Sequence, residues 1–238
     1  MGKSKKQHNH RNTQPSGAVS LITIADKTSP IAEQYRTIRT NIQFASADRK
    51  IQTIVVTSSG PSEGKSTTSA NIAVVFANSG QRVLLVDADM RKPTVHKTFG
   101  LTNEVGLSKV LSSNNSVLEM SRPSVVVDNL SILTSGPKPP NPSELLGSTR
   151  MNQVIEEARH LYDVIIFDMP PVVTVTDAQI MASKADGTLL VVRENVTRKD
   201  ALTKAKDLLE MVQAKVLGVV YNGAQNLKDQ SYYYYSND

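Results

Sequence analysis

Residues 54–80 read IVVTSSGPSEGKSTTSANIAVVFANSG, and this stretch decides the fold. A β-branched run from Ile54 to Ser58 enters a turn of Ser59, Gly60, Pro61, Ser62, Glu63 and Gly64, after which Lys65, Ser66 and Thr67 open a helical stretch that ends at Gly80. Strand, small-residue turn and helix in this order make a phosphate-binding loop. Backbone N–H groups wrap the phosphates, and the helix N-terminus adds partial positive charge. In this pattern Lys65 is expected at the β- and γ-phosphates and the Ser66 hydroxyl on Mg²⁺. The usual motif has a further glycine separated by four residues from the Gly-Lys pair; Ser59 stands there, with Gly60 next to it.

Outward from this loop the same alternation repeats. IQTIVVTS (51–58), RVLLVD (82–87), NLSILTS (129–135), DVIIFD (163–168), GTLLVV (187–192) and KVLGVVYN (215–222) read as strands, with helical stretches at 65–79, 142–159, 176–184 and 198–212. Strands apolar on both faces belong to a parallel sheet covered by helices on each side. The expectation is an α/β fold with a doubly wound, mostly parallel sheet in one domain, 28–224. Its ligand crevice belongs at the carboxyl ends of the strands.

Acids stand at those ends. Asp87 and Asp89 close the run from Val83, two residues apart, and in extended geometry would point the same way. Like charges so close call for a cation, which makes Mg²⁺ a natural partner. Asp168 ends the strand from Val164 and precedes Met169, Pro170 and Pro171, in the manner of a carboxylate that holds Mg²⁺ directly or through water. Arg91 receives no chemical role, and the Pro-rich loop 136–145 reads as a rigid connector.

Composition excludes several alternatives. Without cysteine there is no disulfide framework, thiolate metal site or Cys nucleophile. No apolar run approaches the ~18 residues of a membrane span, so the expected location is cytoplasmic. The net charge of +5 sits on the beginning of the chain: residues 1–20 carry four basic residues and no acid, leaving 23 basic against 22 acidic residues elsewhere. A nearly neutral body argues against nucleic acid as a partner. Residues 1–27 are assigned to a disordered basic arm. Pro30, with Ile31, Tyr35, Ile38 and Ile42 recurring every three or four residues, opens an amphipathic helix to about Phe44, on which Glu33, Arg36 and Arg39 share a face. His8, His10, His96 and His160 have no ligand spacing. Tyr232, Tyr233, Tyr234 and Tyr235 fall in a polar ending, 225–238, expected to be flexible, where four rings have no folding rationale. Ten residues from Asn222 to Tyr232 span roughly 17–19 Å as a coil and about 33–36 Å at full stretch, enough to reach a phosphate site in the same or a neighbouring chain.

These four segments together resemble the bacterial tyrosine kinases (BY-kinases) of capsular and exopolysaccharide operons, in the cytoplasmic CapB/CpsD type, over residues 28–238. The shared marks are the variant phosphate loop with Pro61, the strand ending Asp87-Ala88-Asp89-Met90-Arg91, Asp168 before proline, and the terminal tyrosines. The resemblance implies a P-loop NTPase of the MinD/ParA-like group, acting with ATP and Mg²⁺ as a protein-tyrosine autokinase. It places Lys65, Asp87 and Asp89 in catalysis, with Asp87 as base or orienter of the phenol, and Ser66, Asp89 and Asp168 at the metal. Residues Ser59 to Thr67 would bind ATP, and Tyr232 to Tyr235 would accept phosphate. It makes Glu33, Arg36 and Arg39 a subunit contact in a ring-like homo-oligomer. It implies a membrane-spanning activator or polysaccharide co-polymerase that recruits the chain to the inner membrane face, a cognate tyrosine phosphatase, and control of polysaccharide synthesis and export. Asn222 sits where related ATPases contact adenine, or is a turn residue. The family pattern has glycine where this chain has Ser62. The competing readings are a MinD/ParA-like ATPase switch, whose marker lysine five residues before Lys65 is replaced by Gly60, and a nucleotide-set scaffold without kinase activity.

Overall fold

A computed structural model describes residues 17–45 and 50–224. In chain order the elements are α1 (Ile22–Ala25), α2 (Pro30–Phe44), β1 (Thr53–Ser58), α3 (Lys65–Ala77), β2 (Val83–Asp87), α4 (Val95–Thr98), α5 (Leu107–Ser112), α6 (Val117–Met120), β3 (Arg122–Pro123), β4 (Leu130–Leu133), α7 (Pro142–Gly147), α8 (Thr149–Leu161), β5 (Val164–Asp168), α9 (Asp177–Ala182), β6 (Gly187–Arg193), α10 (Lys199–Met211) and β7 (Val216–Asn222). The strands form one sheet in the order β3-β4-β2-β5-β1-β6-β7, parallel except for β3. Every strand expected from sequence is present, together with the short β3. That strand is an exposed Arg-Pro dipeptide with no apolar alternation to announce it.

The period of two along each strand divides the core between the two faces. Ile54 and Val56 of β1 join Val83, Leu85, Ile166 and Val191 in a cluster with α2 and α3. Val55 faces the other way, with Leu84, Val86, Phe167, Leu190 and residues of α5 and α8 to α10. This double covering is the doubly wound arrangement. Because β1 lies between β5 and β6, the end of β1 is central, and Asp87 and Asp168 stand side by side in the pairing of β2 with β5.

Two expectations are corrected. The arm assigned to 1–27 lies outside the described residues only as far as Ser16. From Gly17 the chain runs in defined conformation: Val19, Leu21, Ile22 and Ile24 pack against the α2/α3 cluster, and the Thr23 amide and hydroxyl both donate to Asn71 Oδ1, at 3.1 and 2.9 Å. Asn71 Nδ2 returns bonds to the carbonyls of Ser20 and Thr67, so the segment is tied to the helix of the phosphate loop. One helical turn is too short to create a periodic signal, which is why composition alone suggested disorder. The helix expected over 142–159 is broken at Ser148, whose extended backbone ends α7 and whose side chain caps α8 by accepting from Met151 N.

At the opposite edge of the sheet Asp186 gathers the starts of β1 and β6. It accepts from the amides of Gln52 and Thr53 at 3.0 and 2.8 Å, from the Thr53 hydroxyl at 2.8 Å, and from both terminal nitrogens of Arg159 at 2.9 Å. Burial raises its pKa, but the Arg159 bonds and the two amides outweigh that and bring it from 3.8 down to about 2. Because the folded value is depressed, this stabilisation is complete above the unfolded value and is lost as pH falls from about 4 toward 2. Asp186→Ala is expected to cost about 2 kcal/mol at pH 7, since it strands two amides but removes a partly solvated ion pair. Urea unfolding at pH 7 and pH 3 checks this: the gap between variant and parent should narrow at the lower pH.

Candidate active site

The loop after β1 is held from inside and outside. Within it, Ser59 donates from its amide and hydroxyl to the buried Glu63 carboxylate, at 2.9 and 2.7 Å, and Ser58 Oγ donates to Gly60 O at 2.7 Å. The Ser59 and Glu63 side chains are thus spent on each other, which leaves backbone groups for a phosphate. Pro61 and Ser62 are exposed at the loop's tip. From outside, Asn222 Nδ2 at the end of β7 donates to Glu63 O at 3.1 Å, and Arg193 Nη1 at the end of β6 donates to Ser62 O at 3.0 Å. Asn222 is therefore a strand residue that braces the loop and not a turn residue.

Two residues of this loop have positive φ. Gly64 has φ +98°, and a Cβ there would lie 1.9 Å from Asn222 Nδ2. Ser62 has φ +63°, at the position where the resembling family has glycine, a conformation that disfavours an L-residue by roughly 1–2 kcal/mol. Alternation of this kind makes successive amides converge as an anion-binding nest.

Lys65 opens α3 and turns toward the acids. Its Nζ lies 2.9 Å from Asp89 Oδ2, 3.8 Å from Asp168 Oδ1 and 3.3 Å from Ser66 Oγ. Burial works against the ammonium, but Asp168 and Asp89 outweigh it and raise its pKa. Asp87 Oδ2 accepts from the amides of Thr94 and Val95 at 3.0 and 2.9 Å, while its Oδ1 is buried without a partner. Burial, followed by the charge of Asp168, pushes Asp87 up to about 8. Asp168 accepts from Ser69 Oγ at 3.1 Å, its Oδ2 is likewise buried and unpartnered, and burial raises it against the pull of Lys65. Asp89 Oδ1 accepts from Lys92 N at 3.0 Å.

Orphaned carboxylate oxygens on Asp87 and Asp168, the latter carboxylate beside the Ser66 hydroxyl, fit a small hard cation. Among the described residues no group of three or more His, Cys, Asp or Glu is arranged to hold a metal. Mg²⁺ takes one or two carboxylates and completes its shell with phosphate and water.

Arg91 makes a two-pronged contact with the buried Asp177, at 2.9 and 3.0 Å, and Ser143 Oγ donates to the same carboxylate at 2.6 Å. The connector 136–145 is thereby fastened beside the loop that follows Asp87 and carries Asp89 and Arg91. Sequence reasoning left Arg91 and Asp177 unassigned and missed Arg193, Ser69 and the amides of Thr94 and Val95. For Arg193 a signal existed, since it follows an apolar parallel strand at its carboxyl end.

Glu33, Arg36 and Arg39 are not brought to this site. Arg36 pairs with Glu33 and donates to Lys27 O, whereas Arg39 turns toward α3 and donates to Val75 O at 3.2 Å. Ten helical residues, roughly 15 Å, separate Val75 from Lys65. A cavity of about 330 Å³ opens there, lined by Thr23, Lys27, Arg36, Arg39, Val75 and Asn78. Tyr232 to Tyr235 lie outside the described residues. No helix among the described residues is long and apolar enough to cross a membrane.

Residues 49–217 match the family described as AAA domain. The chain is 49% identical over 216 residues to the tyrosine-protein kinase YwqD of Bacillus subtilis, covering 91% of each. In structure it is similar to the chimerical protein CapA2B2, with a TM-score of 0.81 at 42% identity, covering 86% of this chain and 92% of that one. It is also similar to the kinase domain of the Escherichia coli tyrosine kinase ETK, with a TM-score of 0.82 at 29% identity, covering 91% and 85%.

Proposed function

The chain belongs to the bacterial tyrosine-protein kinases, and from that premise we propose that it transfers the γ-phosphoryl group of ATP to tyrosines of its own kind of tail, Tyr232 to Tyr235. The observation that carries this reading is the convergence of Lys65, Ser66 and three carboxylates at one edge of one sheet, with the Asp87 Oδ1 atom unspent.

In the proposed reaction the phenolic oxygen attacks the γ-phosphorus, the bond to the bridging oxygen breaks, and ADP leaves. Lys65 swings from Asp89 to the β- and γ-phosphates, exchanging one anionic partner for another. The Asp87 Oδ1 atom accepts the hydrogen bond of the incoming phenol, orients it and takes its proton as the new P–O bond forms, while the amides of Thr94 and Val95 hold the other oxygen in place. Ser66, Asp89 and Asp168 would hold Mg²⁺, which neutralises phosphate charge when bound. Within the segment from Ser59 to Thr67 the amides from Ser62 onward face the phosphates, since that of Ser59 is held by Glu63 and Pro61 has none, and the side chain of Asn222 completes the nucleotide site.

By the same resemblance the chain serves capsular or exopolysaccharide production. A membrane-spanning activator recruits it to the inner face of the membrane, it assembles into a ring through Glu33, Arg36 and Arg39, and a phosphatase reverses the modification. Negative charge added to the tails would loosen such a ring.

The test is mass spectrometry after incubation with Mg²⁺-ATP and a cytoplasmic fragment of the activator, beside Lys65→Met and Asp87→Ala. Phosphate on Tyr232 to Tyr235 in the parent and in neither variant is the expected result. ATP turnover with an unmodified tail would instead favour an ATPase switch, the reading that Gly60 argues against.

A further inference from the structure

We infer that Arg193 is a positioning residue for nucleotide binding, holding the Ser62 peptide in the left-handed turn that the phosphate loop requires and that a glycine would adopt unaided. This rests on the reading of residues 59–67 as the ATP site. Three observations lead to it.

The first is the conformation itself. Ser62 has φ +63°, although no feature of a serine side chain favours it there. Something outside the residue must hold it.

The second is the contact. Arg193 Nη1 reaches 3.0 Å from Ser62 O across 131 positions of sequence. The arginine's own backbone is fixed: its amide donates to Thr197 Oγ1 at 2.8 Å, its carbonyl accepts from Thr197 N at 2.9 Å, and the next amide, of Glu194, donates to Asn222 O at 2.9 Å. The guanidinium thus projects from a rigid strand end.

The third is what a held carbonyl does to its peptide. The described peptides are all trans, so a C=O and the following N–H point in opposite directions. Anchoring Ser62 O on Arg193 turns the Glu63 amide the other way, and anchoring Glu63 O on Asn222 does the same for Gly64. Two successive amides are set by two adjacent strand ends, an arrangement that preorganises a nest before phosphate arrives.

The test is a cycle of Arg193→Ala and Ser62→Gly, read by titration of each protein with a fluorescent ATP analogue and Mg²⁺, and by KM and kcat for ATP. In the Ser62 background, Arg193→Ala is expected to weaken binding and raise KM on the order of tenfold, the scale of a hydrogen bond from a charged group, with kcat little changed. In the Ser62→Gly background the same substitution should cost less than about twofold, because glycine holds the turn without help. Equal losses in both backgrounds, or losses that vanish with added salt, would mean that Arg193 acts directly on the phosphate charge and would overturn the inference while leaving the ATP site standing. Failure of the parent protein to bind the analogue would overturn the site itself.

Discussion

Lys65→Met is expected to reduce phosphoryl transfer on the order of 10³-fold, the loss that follows removal of a preorganised donor aimed at developing charge. The lysine has two duties. With nucleotide bound it is the cation at the β- and γ-phosphates; without it, it neutralises Asp89 at 2.9 Å and Asp168 at 3.8 Å. Removing it therefore has a structural cost as well, about 3 kcal/mol, because the buried carboxylates lose their counter-charge. Lys65→Arg separates the duties. A guanidinium keeps the charge, so stability should stay near that of the parent, but its planar fork is a poor substitute for a compact ammonium and transfer should still fall steeply. Radiolabel transfer from ATP, beside urea unfolding of both variants, checks the pair. Transfer within tenfold of the parent in either variant would remove Lys65 from its role.

What the sequence made legible here was local. Ile54 to Ser58, the turn to Gly64 and the helix from Lys65 carry their periodicity and turn chemistry within a few residues, and Asp87 and Asp168 announce themselves by ending apolar runs. A parallel sheet then brings such ends together whatever the intervening chain does. Contacts across long separations were not legible. Arg193 and Ser62, Arg91 and Asp177, and Thr23 and Asn71 meet only after the strand order is set, and nothing in either partner names the other. Short elements fell below the threshold for a different reason: α1 is a single turn and β3 only two residues long, too brief for any period to show. The break at Ser148 was concealed because a capping serine within a helical run looks the same as a tolerated one until the backbone is seen.

Gly64→Ala is expected to weaken Mg²⁺-ATP binding on the order of 100-fold, and two separable terms add up to that figure. One is intrinsic: Gly64 has φ +98°, and forcing an L-residue into the left-handed region costs roughly 1–2 kcal/mol or distorts the loop. The other is contact. The new Cβ would lie 1.9 Å from Asn222 Nδ2 and 3.1 Å from Asn222 Cγ, and since the amide is the far end of a side chain it can swing aside. In doing so it gives up its bond to Glu63 O, worth about 1 kcal/mol. Together these reach about 2–3 kcal/mol, or about 30- to 150-fold in affinity. The partition can be measured. In an Asn222→Ala background the bond is already absent and the space already open, so Gly64→Ala should add only the backbone term, roughly tenfold. Nucleotide titrations of the two single variants and the double variant give both numbers. Binding by Gly64→Ala within threefold of the parent would show that the loop does not use the left-handed turn when it holds phosphate. A full 100-fold loss in the Asn222→Ala background would instead assign the whole effect to the backbone and none to the brace from β7.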